Sequence, residues 1–312
     1  MTPPVLSICI PIYNRSSFLD RMLTRFLEDR DLFEEKVALS VFDNASEEDL
    51  EGVVLRFSAQ GLRIRYHRNP QNIGPDLNIC ACFRAGEGRY TWVLGSDDIP
   101  LRGVVRRLVS LLETASFGLV HLNHYGESSE PLVTYTDASA FFADMYVWIS
   151  FISANIVCTS FIAEADLESF ADSSLSQVPL YLLAGFSSPV NAVLYGPYLE
   201  PVNDALMNGG YNLFQVFADN LLAMVGKEVT AGTLPASAYR RFKHGLYRKF
   251  LAENILNFLI LKRASHFDTA AGWKIIRKHY GKEPYLIPDL LAVAWKFAVR
   301  RLRRRTGSAK PS

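Results

Sequence analysis

The sequence lacks the two commonest nucleotide signatures. No G-x-G-x-x-G follows its first apolar run, and no G-x-x-x-x-G-K-[ST] occurs in its 312 residues. Those absences exclude a dinucleotide-binding Rossmann unit and a P-loop phosphate cradle. Cysteine is scarce: Cys9, Cys80, Cys82 and Cys158 form neither a metal-ligand spacing nor a disulfide framework. A reduced, cytoplasmic chain is the simplest account. Low-complexity tracts and internal repeats are absent. No basic segment precedes an apolar core at the N-terminus, and Val5 to Ile12 runs straight into a polar loop. That stretch reads as a strand and not as a signal peptide. With 49% hydrophobic and 21% charged residues, the composition is that of a globular protein with one good core and a second, smaller unit.

Net charge is also nearly absent, at +1, but the total hides an asymmetry. Residues 240–312 carry 18 Lys and Arg against 4 Asp and Glu, a net of +14; residues 1–239 carry 15 against 28, a net of −13. Such a split points to an acidic surface or polyanion as partner of the C-terminal part. One uncharged stretch, the 19 residues Met145 to Ala163, is long enough to be weighed as a membrane span. Ser150, Ser153, Asn155, Thr159 and Ser160 interrupt it, and hydroxyls and amides are costly in lipid. A buried strand or helix beneath a binding cleft is expected instead.

The first 125 residues alternate strand and helix signals. Leu6 to Ile12 is a strand ending in the turn Tyr13-Asn14-Arg15. Ser16 or Ser17 then caps a helix with Phe18, Leu19, Met22, Leu23, Phe26 and Leu27 on one stripe. Val37 to Phe42 is a strand with Asp43-Asn44 at its end; Asp49 to Phe57 is a helix, Ile64 to His67 a short strand, and Gly74-Pro75 opens another helix. Tyr90 to Leu94 is a strand followed at once by Ser96-Asp97-Asp98. Pro100 introduces a helix carrying Val104, Val105, Leu108, Val109 and Leu112, and Gly118 to Leu122 is a further strand. This alternation predicts an α/β fold with a mostly parallel central sheet and right-handed crossovers. In such sheets ligands lie beyond the carboxyl ends of the strands, where three polar turns fall: Tyr13-Asn14-Arg15, Asp43-Asn44 and Ser96-Asp97-Asp98. Residues 126–215 are irregular. Beyond them the pattern is helical, over Phe214 to Val225, Tyr239 to Lys262, Thr269 to His279 and Asp289 to Arg305.

Asp97 and Asp98 have two readings. They could cap the helix after Pro100, where negative charge suits the dipole. Alternatively they hold a divalent cation that bridges two phosphates, since Mg²⁺ and Mn²⁺ favour one or two carboxylates with phosphate oxygens completing the shell. Asp43 on a neighbouring strand end can accept hydrogen bonds from a ribose hydroxyl or a base N–H, and Pro11 and Tyr13 suit a base-stacking ledge. His67, His121 and His124 take the default, a structural role.

Four segments in order, Ser7 to Arg15, Val41 to Ser46, Asn69 to Gly74 and Gly88 to Asp98, resemble the motifs of family 2 glycosyltransferases. The resemblance covers about the first 125 residues and is nearest to the abequosyltransferase-like branch of bacterial surface polysaccharide enzymes. It implies a GT-A nucleotide-sugar-binding domain over residues 1–215, with a nucleotide part at 1–125 and an acceptor side at 126–215, followed by a basic helical region at 216–312. By the same resemblance Pro11, Tyr13, Asn14 and Asp43 hold the nucleoside side. Asn72 and Gly74 line the diphosphate, and Asp98 with Asp97 holds Mn²⁺ or Mg²⁺. Many members carry an Asp where this chain has Gly95, so metal ligation here rests on fewer carboxylates.

The resemblance also implies inverting transfer from a nucleotide-sugar donor to a saccharide, or lipid-linked saccharide, in O-antigen or capsule synthesis. It places the general base downstream at a helix start. The matching stretch, Glu164 to Gln177, lacks the usual Glu-Asp pair, so Asp172 is the first candidate and Asp166 the second. Ser153 and Asn155 have two readings, facing the acceptor or ordinary buried hydrogen bonding. The last helix, with Leu290, Leu291, Val293, Ala294, Phe297 and Ala298 on one face and Trp295 alongside, precedes five arginines between 300 and 305. It fits either packing on the protein or an interfacial helix on anionic lipid, the second placing the protein at the inner face of the cytoplasmic membrane. Nucleic acid is not expected, because no recognised module accompanies the charge. A sugar nucleotidyltransferase would need a Gly-rich basic phosphate loop after the first strand, which is missing. A catalytically silent nucleotide-sugar-binding subunit is the remaining alternative.

Overall fold

An eight-stranded sheet organises the N-terminal part of the chain, in the order β3-β2-β1-β4-β7-β5-β8-β6. The structure, a computed structural model, describes residues 3–123, 128–200 and 210–306, with the side chains of Glu168, Phe170 and residues 300–306 outside the description. His124 lies outside the described residues, as do the side chains of the five arginines. The chain divides into two compact units, Met1–Phe142 with Trp148–Asn203, and Ala143–Val147 with Asp204–Ser312.

The strands are β1 (Leu6–Ile12), β2 (Val37–Asp43), β3 (Ile64–Arg68), β4 (Tyr90–Val93), β5 (Leu119–Asn123), β6 (Leu132–Tyr135), β7 (Asn155–Cys158) and β8 (Asn191–Tyr195). β1 pairs in parallel with β2 on one side and β4 on the other, and β2 pairs in parallel with β3. Both faces of β1 are covered: Leu6, Ile8 and Ile10 from one side and Cys9 from the other are essentially inaccessible. A strand buried on both faces therefore reads as a continuous apolar run. The sheet is less parallel than the alternation alone implies. β7, from the uncharged stretch, runs antiparallel between β4 and β5, and β6 closes the far edge antiparallel to β8. The expectation of a buried strand for that stretch holds, and no helix among the described residues is long and apolar enough to cross a membrane.

Helices cover the sheet: α1 (Ser16–Leu27), α2 (Leu32–Glu35), α3 (Leu50–Ser58), α4 (Pro75–Arg84), α5 (Val104–Thr114), α6 (Ala138–Met145), which runs into the second unit, and α7 (Gln177–Ser187). Leu19, Met22, Leu23 and Phe26 form the buried stripe of α1, and Val104, Val105, Leu108, Val109 and Leu112 that of α5. Two start signals differ from the sequence reading. Arg15, in a left-handed conformation, is the N-cap of α1, with no side-chain cap from Ser16 or Ser17. α5 begins after Gly103, so Asp97 and Asp98 lie several residues upstream and cap no part of it.

In the C-terminal unit, π-helical Gln215–Asn220 leads into α8 (Leu221–Thr230). α9 (Ala236–Leu246), π-helical Tyr247–Leu251, α10 (Ala252–Asn254) and π-helical Ile255–Ile260 form one unbroken helical run. α11 (Gly272–Tyr280) and α12 (Leu286–Thr306) follow. α12 starts three residues before the expected Asp289 and takes in Pro288, whose missing N–H costs nothing in a first turn.

Candidate functional site

The turns after β1, β2 and β4 emerge side by side, because these three strands are neighbours and parallel. After β1, Tyr13 is 43% exposed on the rim, and Pro11 is half-buried in the last part of the strand. Asn14 and Arg15 both have positive φ, 57° and 65°. Interactions with the β2 turn hold this strained pair: the Asn14 N–H donates to Ser46 Oγ (2.7 Å) and Asn14 Oδ1 accepts from the Glu47 N–H (2.9 Å). Glu48 accepts from the N–H groups of Arg15 (3.0 Å) and Ser16 (2.7 Å). A carboxylate from another loop thus caps α1, and the Ser16 side chain with the Ser16 and Arg15 N–H groups holds its carboxyl below the usual range. Sequence reading missed Glu48; its only signal is an acid five residues beyond the strand end.

Asp43 ends β2 fully buried. Its Oδ1 accepts from the Ser46 N–H (2.8 Å), while Oδ2 accepts from Tyr66 Oη (2.6 Å) and pairs with Arg68 (2.7 Å). Arg68 also donates to the Ser46 carbonyl at 2.8 Å. Burial and the Asp43 hydrogen bond push the Tyr66 phenol up to about 12, so it stays a donor. Asp43 therefore anchors the strand ends, and the groups it presents to the crevice are Tyr66 and Arg68, which sequence reading did not single out.

An asparagine lattice holds the next loop. Asn44 donates to Asn72 Oδ1 (2.9 Å) and to the Gly74 carbonyl (3.2 Å), and its Oδ1 accepts from Asn69 (3.0 Å) and the Ile73 N–H (2.9 Å). Asn72 Oδ1 also accepts the Gly74 N–H at 2.9 Å. Gly74 precedes α4 with φ 83° and ψ 162°, a conformation essentially confined to glycine. Asn72 and Gly74 thus sit together at the helix N-terminus, whose free N–H groups favour phosphate.

Past β4, the Asp98 N–H closes a turn onto the Gly95 carbonyl at 3.0 Å. A Cβ on Gly95 would lie 2.8 Å from Asp98 Oδ2, 3.1 Å from Ser153 Oγ and 3.4 Å from Asp97 Oδ1. The missing side chain is what lets both carboxylates converge. Ser153, from the segment before β7, is fully buried; it accepts from the Gly95 N–H (2.8 Å) and donates to Asp98 Oδ2 (2.6 Å). Arg15 reaches across from the β1 turn to Ser96 Oγ (3.1 Å) and Asp97 Oδ2 (3.2 Å). Burial, with Asp97 adding to it, pushes the Asp98 carboxyl up to about 7 against the opposing effects of Ser153 and Arg15. Among the described residues the second oxygens of Asp97 and Asp98 accept nothing, and no three His, Cys, Asp or Glu cluster as a complete metal cage. Two converging carboxylates with open oxygens fit a cation whose remaining ligands are phosphate oxygens and water.

Other expected residues are placed elsewhere. Asn155, like Ser153, makes buried hydrogen bonds, one of the two roles read from the sequence: it bonds His121 (3.0 Å) and the Phe151 carbonyl (2.8 Å). His121 is structural, its imidazole driven down to about 4 by burial. His67 stacks on Phe42 with ring centroids 4.7 Å apart. Asp166 and Asp172 are both exposed, and no hydrogen bond joins either to Asp98. Asp172 has φ 72° and Ser174 φ 58°, in a loop whose Ser174 N–H donates to Asp76 on the first turn of α4 at 2.8 Å. A cavity of about 1200 Å³ opens at the opposite, amino-terminal strand edge, where Lys36 pairs with Glu113 and Arg65 with Glu87.

The fold is that of a GT-A domain. S. aureus TarS (residues 1–349) superimposes with a TM-score of 0.64 at 12% identity, over 92% of this chain and 82% of that one. The mannosyltransferase PcManGT from Pyrobaculum calidifontis, solved with GDP-Man and Mn²⁺, gives 0.54 at 15% identity over 95% and 87%. Residues 7–157, just under half of the chain, match the family model for glycosyl transferase family 2. The abequosyltransferase RfbV of Salmonella typhimurium is 34% identical over 95 residues, 30% of this chain and 28% of that protein. An uncharacterized Mycobacterium tuberculosis protein is 28% identical over 127 residues, 41% and 38%. The similarity thus spans well under half of either relative.

Proposed function

We propose that the protein transfers a sugar, with inversion, from a nucleotide-sugar donor to a saccharide acceptor and uses Mn²⁺ or Mg²⁺. The observation that carries this reading is the convergence of Asp97 and Asp98 over Gly95, beside Arg15 and within a family 2 domain. When bound, the cation supplies positive charge to the departing diphosphate. The chain's own groups do the rest. Tyr13 offers a face for the base, Arg68 offers guanidinium donors, and the first turn of α4 and Arg15 offer N–H groups to phosphate oxygens. Ser153 holds Asp98 in place.

In the reaction the acceptor oxygen bonds to the anomeric carbon, the bond to the diphosphate breaks, and the acceptor proton passes to a carboxylate. Asp172 is the favoured base, because its loop is tied to the first turn of α4, next to Gly74; Asp166 is the second candidate. The similarity to RfbV supports an acceptor in surface polysaccharide synthesis, O-antigen or capsule. The +14 charge of residues 240–312 supports a lipid-linked acceptor at the inner face of the cytoplasmic membrane.

One observation favours a second reading, a silent nucleotide-sugar-binding subunit. α7 begins with Gln177 after Ser176, with no acid at its start, and Gln177 is spent on the Ser150 carbonyl at 2.6 Å. A thermal-shift panel of nucleoside diphosphates with and without Mn²⁺ or Mg²⁺, then donor-hydrolysis and transfer assays, tests both. Metal-dependent stabilisation with turnover, both abolished in Asp98→Ala, supports the transferase. Binding without turnover supports the silent subunit, and full activity in Asp98→Ala overturns the metal site.

A further inference from the structure

Six of the large apolar side chains that stand exposed belong to the C-terminal unit: Ile260, Leu261, Trp273, Ile287, Leu291 and Trp295. Three of these follow helical spacing along α12, with Ile287 57%, Leu291 64% and Trp295 72% exposed. The helix cannot turn to hide them, because its start is pinned within its own unit. Asp289 pairs with His244 (2.8 Å), Tyr247 Oη donates to the Leu286 carbonyl (2.6 Å), and Lys243 pairs with Glu283 (2.5 Å). With Asp289 facing inward, four residues of the face read as apolar from the sequence, Leu290, Val293, Ala294 and Phe297, are half-buried against the unit, while the other two, Leu291 and Ala298, are exposed. Ile287, Leu291, Trp295 and Ala298, which are exposed, then fall on the adjoining side. α12 is therefore apolar on two sides, one packed and one bare.

On the packed side, Arg263 lies over the Phe297 ring at 4.5 Å, which sets the exposed Ile260 and Leu261 and the cations Lys262 and Arg263 alongside α12. An apolar stripe with Trp295 on it and cations at its margin is the arrangement of a helix lying in a bilayer interface. We infer that the Ile287–Leu291–Trp295 face of α12 docks on an anionic lipid surface. A second copy of the chain is disfavoured as occupant, since that contact would bring two segments of charge +14 together. A neutral partner gains nothing from the charge. Anionic headgroups match both features, with Lys and Arg meeting phosphate while Trp295 and Leu291 enter the acyl boundary.

This inference rests on the membrane-side part of the proposed function, and its test is independent of catalysis. The full chain is floated on sucrose gradients with phosphatidylcholine vesicles, and with vesicles containing about a third phosphatidylglycerol. Binding to the anionic vesicles at roughly tenfold or more over the neutral ones is expected, weakening as salt rises. The double variant Leu291→Asp, Trp295→Asp should lose at least roughly tenfold in vesicle binding. Both side chains are mostly solvent-exposed, so its circular dichroism and its stabilisation by nucleoside diphosphate with Mn²⁺ should match those of the parent. Lys262→Glu with Arg263→Glu should weaken binding while leaving the apolar stripe intact. The proposal is overturned if the parent fails to float with anionic vesicles, or if the Leu291/Trp295 variant floats as well as the parent. It is equally overturned if light scattering shows a dimer that this variant dissolves. A parent that floats but never responds to nucleotides refutes the transferase reading alone.

Discussion

Replacing Ser153 with alanine removes one buried oxygen and two hydrogen bonds, those that accept from the Gly95 N–H and donate to Asp98 Oδ2. Nothing else in the crevice changes size, so the consequence can be worked out. The Gly95 N–H and a largely desolvated carboxylate each lose a partner, for a combined stability cost of about 1–3 kcal/mol. For a unit of this size that is a fall in Tm of roughly 5 °C. The functional effect is separate. A group that holds a metal-ligating side chain in place is worth roughly 10–100-fold in cation affinity. Calorimetric titration of Mn²⁺ in the presence of the nucleoside diphosphate selected by the thermal-shift panel should show that loss. In an Asp98→Asn background the same Ser153→Ala change should add little, because the partner through which it acts is gone. A variant that loses stability but binds Mn²⁺ as tightly as the parent would refute the claim that Ser153 positions Asp98.

Three further outcomes are expected. Gly74→Ala forces a side chain into a conformation reserved for glycine (φ 83°, ψ 162°) and should cost about 1–3 kcal/mol in urea unfolding, with nucleotide binding weakened as well. Asp43→Asn removes the charge facing Arg68 and leaves one acceptor oxygen where two serve Ser46, Tyr66 and Arg68, and should cost about 2–3 kcal/mol; an unchanged midpoint would show that the Asp43 cluster is not the anchor described. His121 is buried neutral with its imidazole near 4 against an ordinary value of 6.5, so the unfolded chain takes up a proton that the folded one refuses. Its contribution is complete above pH 6.5 and is lost as pH falls toward 4, by about 3 kcal/mol; His121→Gln should flatten that slope in a pH series of denaturation midpoints.

The sequence by itself carried the local elements and the chemistry at their ends. Alternation and helical spacing mark β1 to β5 and the stripes of α1 and α5, because a side chain's face follows from its own backbone period. Asp97 and Asp98 were legible as a strand-end pair, and Asn72 and Gly74 as a loop before a helix. The rest depends on partners far away in the chain. For Ser153 the sequence left open an acceptor-facing and a buried hydrogen-bonding role; β7 inserts antiparallel between β4 and β5 and brings that serine onto Gly95, 58 residues earlier. No local pattern encodes which strand slides between two others, since that pairing is chosen by the packing of the whole sheet. For the same reason the cap of α1 comes from Glu48 and not from the adjacent serines, and Asp43 spends its oxygens on Tyr66, Arg68 and Ser46. In α12 the composition revealed an amphipathic basic helix, but it was the inward pairs of Asp289 and Leu286 that decided which apolar side is packed and which is bare. Periodicity is a property of a segment alone; rotation, register and partnership exist only once the segments have met.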